Sequence, residues 1–159
     1  MMRGIIAALA LLAVPVGAQE PTTVPAGIAS AAEIRAIVAD MARTMRDGRG
    51  FLYRPLLRDG KTVAALEYWR APGRPAVHPD DAEYAIVIEG AGTLLSGGTM
   101  ADARPSGPGL VEGSRIVGGT TRRLGAGDVI LVPAGVPHWF GITGGKLVLL
   151  GMKLPRAGT

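Results

Sequence analysis

The sequence predicts an all-β domain, a barrel or sandwich, with a single amphipathic helix at its N-terminal side. Three observations predict it. From Phe51 onward, short β-rich runs alternate with Gly, Pro and Asp turn residues, as they do along small barrels and sandwiches. Between Ile28 and Arg46 the apolar residues instead recur at three- and four-residue spacing, the mark of a helix with one buried face. The 159-residue chain shows no internal repeat and has the length of one domain with a core of its own.

Taken in order, residues 1–18 carry Arg3, the apolar run Ile5 to Val14, and the small-residue stretch Val16-Gly-Ala18. This is the pattern of a secretory signal, with cleavage expected after Ala18. Pro15 and Gly17 interrupt the run well short of the ~20 apolar residues that span a bilayer. The mature protein is therefore expected to be exported, periplasmic or extracellular, and free of the membrane. Residues 19–27, rich in Pro and Thr, read as a flexible arm, and 28–159 as one domain that opens with a helix over 28–47. Ser30 and Glu33 fit a capping box at the start of that helix, and Gly48 ends it. Its Met41 and Met45 lie on the apolar stripe and read as core contacts.

Strands are expected at 52–57, 62–69, 82–88, 92–95, 115–117, 120–124, 129–133, 138–142 and 147–153. Asp59-Gly60 supplies one hairpin turn and Glu89-Gly-Ala-Gly92 another, while Gly97-Gly98 opens a long polar loop that runs to Gly113.

Composition removes several function classes. There is no cysteine, so export here does not rest on a disulfide scaffold. The formal charge is +4, and removing Arg3 with the signal leaves 16 basic against 13 acidic residues, or +3. Those basic residues are scattered and lack the aromatic-interleaved stripe of a nucleic-acid site. No Ser-centred elbow, paired-carboxylate glycosidase pattern or phosphate-cradling loop before a helix is present.

The chemistry concentrates on two histidines, the only ones in the chain. His78 is followed by Pro-Asp-Asp-Ala, Glu83, six residues and Gly90; Gly127 is followed by five residues, Pro133-Ala-Gly135, Val-Pro and His138. These frames resemble the paired motifs of the cupin family in the right order, over about residues 60 to 153. The resemblance implies a single cupin barrel, a double-stranded β-helix or jelly roll, with His78, Glu83 and His138 as ligands of one divalent metal. The place of the first histidine of motif one falls on Ala76, and the terminal Asn of motif two on Ile142, so one of the four usual ligands is missing. Water, Asp80 or Asp81 can take its place.

Two imidazoles and one carboxylate suit Fe, Mn, Zn or Ni and leave coordination positions open. With a redox metal such a site resembles those of oxygenases; with a redox-neutral one it polarises a carbonyl for isomerase or lyase chemistry. The resulting expectation is an exported small cupin acting on a small organic molecule in the barrel pocket. The alternative is a non-catalytic protein that binds a small molecule or a metal in the same pocket, and a metal-free barrel with a protein interface at residues such as Trp139 is a third. The resemblance also implies a homodimer formed by edge strands. On strand alternation, Glu83 shares a face with Ala85 and Val87, and His138 with Phe140, while Trp139 points away. Glu67, Tyr68, Arg74, Glu89 and Lys153 are the acid–base or clamping candidates near the site, and their facing is open at this stage.

Overall fold

The computed structural model describes residues 26–45 and 48–156. The signal predicted at 1–18 and the arm through residue 25 lie outside the described residues. The helix, α1, spans Ala31–Thr44. Ser30 caps it: its Oγ accepts from the Glu33 N–H at 3.2 Å, and the Glu33 carboxylate takes the Ser30 N–H at 2.7 Å. The cap places the start three residues after the predicted one and leaves Ile28 outside the helix and exposed. At the other end Met45 is extended and Gly48 takes a positive φ, so the helix stops short of 47.

Among the described residues eleven strands follow: β1 (Phe51–Asp59), β2 (Thr62–Trp69), β3 (Ala76–Val77), β4 (Asp81–Ser96), β5 (Thr99–Ala101), β6 (Arg104–Gly107), β7 (Leu110–Glu112), β8 (Arg115–Val117), β9 (Thr120–Gly125), β10 (Val129–Val132) and β11 (His138–Pro155). The main sheet runs β1-β2-β11-β3-β7-β6. Long β4 lies against β11 and also pairs with β10 through its first half and β9 through its second. β5 and β8 form a separate ribbon.

Three expectations are corrected here. Glu89-Gly-Ala-Gly92 is not a hairpin turn: the chain continues through it as one strand, which bends at Gly90 and passes from β10 to β9. Likewise the runs 138–142 and 147–153 are the two halves of β11, which stays paired with β4 across register shifts. The polar stretch 97–113 is not an open loop either, since it contains β5, β6 and β7; its Pro and Gly content had masked three very short strands.

The curled sheet separates two cores. Inside it pack Ala85, Val87, Leu124, Ile130, Phe140 and Leu149, with Ile142 against them, so the position where the family motif carries Asn is here an apolar wall. On the outer face, Val38, Met41 and Met45 of the α1 segment cover Leu66, Tyr68 and Val148. Leu66, Leu147 and Leu149 have no exposed surface, and each such side chain contributes about 1.5–3 kcal/mol by burial. Among the described residues no helix is long and apolar enough to cross a membrane.

Candidate metal centre

Strand alternation places Glu83 on the inner face with Ala85 and Val87, all three buried. His138 opens β11 on the same interior, with the Phe140 ring edge-on to its imidazole at 6.0 Å between centroids. Trp139 turns away and donates its indole N–H to the Gly73 carbonyl at 2.9 Å. His78 sits just before β4, and its carbonyl accepts the Gly135 N–H at 2.8 Å. That bond ties the first histidine frame to the Pro133-Ala-Gly135 turn of the second, and so brings residues sixty apart into one cluster.

The three side chains converge on a single atom. Nε2 of His138 lies 3.0 Å and Nε2 of His78 3.4 Å from Oε2 of Glu83. The opposite ring nitrogens are both engaged: Nδ1 of His138 donates to the Val136 carbonyl and Nδ1 of His78 to the Gly109 carbonyl, each at 3.1 Å. A carbonyl only accepts, so each Nδ1 carries a proton and each Nε2 faces the carboxylate, as a donor when the ring is charged and as a lone pair when it is neutral. With neutral rings three electron pairs face one another and call for a positive charge among them; Lys153 brings one to Glu83 Oε2, and a divalent ion held by the two rings and the carboxylate would supply another. Two donors on one ion at bonds of ~2.0–2.1 Å lie about 2.8–3.4 Å apart for right-angled to tetrahedral arrangements, a range that includes both distances found here. Backbone carbonyls behind the rings also fix their orientation, as they do behind histidines that bind metals.

Ala76 lies directly opposite His138 in the β3–β11 pairing. A histidine there would be at the cluster, so the missing ligand of motif one is a true gap in the donor set. Asp80 and Asp81 do not fill it: the described cluster of potential ligands consists of His78, Glu83 and His138.

Of the acid–base candidates, Lys153 and Glu67 face the site and three do not. Tyr68 packs under the helix. Glu89 is exposed and pairs with Lys146. Arg74 donates to the Gly113 carbonyl and lines a separate cavity of about 450 Å³ with Asp102, Arg104, Ser106 and Glu112. Lys153 stands opposite Glu83 in the β4–β11 pairing, and its Nζ lies 2.5 Å from Glu83 Oε2. Glu67 projects over Gly151, where an added Cβ would come within 3.2 Å of its Oε1. Its other oxygen accepts the Trp69 indole N–H at 3.2 Å. Two features of the site had no sequence signal at all: the Gly109 and Val136 carbonyls, which are backbone groups placed by turns.

The two carboxylates are shifted in opposite directions. Burial opposes ionisation of Glu83, but hydrogen bonds from His138 and His78 and the Lys153 charge outweigh it, holding its acid well below the ordinary range. Glu67 is pushed up, first by burial and then by repulsion from Glu83, with Lys153 only partly offsetting them. A depressed carboxylate such as Glu83 stabilises the fold above its unfolded value and loses that contribution as pH falls through the depressed one. Glu67 works the other way: its contribution is full below the ordinary carboxylate value and is lost as pH rises through the raised one. Glu67→Gln keeps the oxygen that accepts from Trp69. It is therefore expected to raise the melting temperature of the chelator-treated protein at neutral pH, with the gain fading below about pH 4. Thermal melts at the two pH values check it; no gain at neutral pH would show that the Glu67 charge costs the fold nothing.

A family model described as Cupin matches residues 56–151, and the chain belongs to the cupin family. Solved structures agree on the fold. The DMSP lyase DddQ from Ruegeria pomeroyi DSS-3 superposes with a TM-score of 0.53 at 20% identity, over 86% of this chain and 70% of that one. The hydroquinone 1,2-dioxygenase PnpCD, in complex with Cd2+ and 4-hydroxybenzonitrile, gives 0.55 at 17% identity, over 72% and 70%. TT1209 from Thermus thermophilus gives 0.51 at 17% identity, over 74% and 96%. No curated protein matches the sequence significantly.

Proposed function

We propose that this protein is an exported cupin that binds one divalent metal through His78, Glu83 and His138 and converts a small organic molecule in the barrel. The observation that carries the reading is the pair of Nε2 atoms, their rings locked by backbone carbonyls, that converge on one buried carboxylate oxygen. Fold relatives that include a dioxygenase and a lyase support small-molecule chemistry, although a fold by itself does not select a reaction. When bound, the metal would supply Lewis-acid polarisation, or oxygen chemistry if it is iron. The protein's part is to orient the two imidazoles, to wall the site with Phe140, and to place a second carboxyl, Glu67, at the inner face, where burial and the Glu83 charge favour its neutral form.

Narrow access favours one other reading. The Glu83 and His138 side chains are only 5% and 4% exposed, so a ligand enters past His78 and Lys153. A closed site of this kind also serves a non-catalytic carrier of a metal or metabolite.

Elemental analysis of the purified protein is the test, and about one equivalent of iron, manganese, zinc or nickel is expected. The element then directs the turnover screen toward oxygen-consuming or redox-neutral substrates. No metal after reconstitution with each of the four would sink the reading. Bound metal without turnover across carboxylic, phenolic and carbonyl substrates would leave the carrier.

A further inference from the structure

Glu83 Oε2 has a third partner besides the two imidazoles. Lys153 Nζ, at 2.5 Å, is closer to that oxygen than either Nε2. The contact is built into the sheet, because Lys153 and Glu83 are register partners on β11 and β4 and both side chains face inward. Gly151, one step along the same face of β11, leaves the space into which Glu67 extends. The Lys153 side chain is 36% exposed, against 5% for Glu83, so of the two partners it is the lysine that reaches solvent.

Resting on the metal-centre reading, we propose that Lys153 is a movable cation: it neutralises Glu83 when no metal is bound, and on metal loading it turns to the mouth and anchors an anionic ligand. The charges require it. An ammonium and a divalent ion cannot both occupy the same carboxylate oxygen without strong repulsion, and the longer-stemmed, more exposed group is the one able to leave. Once it leaves, the loaded site holds a dication, two neutral imidazoles, one carboxylate and a free ammonium. The sum is +2, or +1 with Glu67 ionised. The small molecule that complements this pocket carries a carboxylate or a comparable anion, with Lys153 contacting the anion and open metal positions beside it.

Zinc titration of the chelator-treated wild type, Lys153→Met and Lys153→Arg, followed by acetate and acetamide titration of the zinc-loaded proteins, tests both halves. Lys153→Met is expected to bind zinc on the order of tenfold more tightly than wild type, a modest share of a lost unit-charge repulsion at a partly exposed position. Zinc-loaded wild type should prefer acetate to acetamide, Lys153→Met should lose that preference, and Lys153→Arg should retain it. Equal or weaker zinc binding by Lys153→Met, or an acetate preference that survives in it, would overturn the assignment of Lys153 while leaving the metal centre standing. Zinc binding by none of the three proteins would instead remove the metal centre and the proposal with it.

Discussion

His138→Ala is expected to reduce bound metal from about one equivalent to below a tenth, with the affinity falling more than ~100-fold. Loss of a hydrogen-bonding group behind a metal ligand already costs ~10–100-fold, and here the ligand itself is removed. The size of the effect follows from what remains. Among the described residues the site has no fourth protein ligand, because Ala76 stands where a second imidazole of motif one would reach the cluster. Without His138 the ion keeps one imidazole and Glu83, and Lys153 already competes for Glu83. The same change also deprives the Val136 carbonyl of its donor and opens space beside Phe140, which costs ~1–3 kcal/mol of stability. The fold should survive that loss with a lowered melting temperature. Trp139→Ala is the matched control: it removes a neighbouring ring and its bond to the Gly73 carbonyl on the opposite face, and metal content should be unchanged. Elemental analysis of the two variants beside wild type decides; metal retained by His138→Ala would show that the ion sits elsewhere.

The ligand frames were legible because their geometry is local. Each frame joins a histidine to a glycine of positive φ at a fixed spacing, and strand alternation then sets which neighbours share a face. Ala85, Val87 and Phe140 were placed correctly by that alternation alone. Lys153 was among the candidates near the site, but its facing was not legible, for a definite reason. Strict alternation from an inward His138 would keep even-numbered residues inside and send Lys153 outward. The register shifts between Thr143 and Leu147 and between Val148 and Leu149 reset the parity, so Leu147, Leu149 and Gly151 face inward and Lys153 with them. Glu67 depends on the same shift, since the interior it faces is defined by the register of β2 against β11. Sequence reading also divided β4 and β11 at their glycines, because Gly in a strand signals a turn and a bend equally well. Only the partner strands, β10 on one side of the bend and β9 on the other, reveal which it is.

That bend makes Gly90 the most demanding position in either frame. Gly90→Ala is expected to destabilise the protein by more than about 3 kcal/mol, enough to unfold a marginal domain. Its φ is +85°, a conformation that costs an L-residue roughly 1–2 kcal/mol. The larger part of the effect is contact: a Cβ at this position would lie 2.2 Å from the Lys146 carbonyl oxygen, on backbone that cannot swing aside. Relieving the clash means parting β4 from β11 where Gly90 pairs with Leu147, a side chain with no exposed surface. Gly127, which opens the second frame, isolates the first term. Its φ is +93°, yet nothing lies within 4 Å of the Cβ it lacks, so Gly127→Ala should cost only the roughly 1–2 kcal/mol of backbone strain. Denaturant melts of the two variants separate the causes. Equal losses would mean that backbone conformation alone requires both glycines, whereas a loss at least twice as large for Gly90→Ala would show that the first glycine is kept for the close crossing that curls the sheet around Glu83.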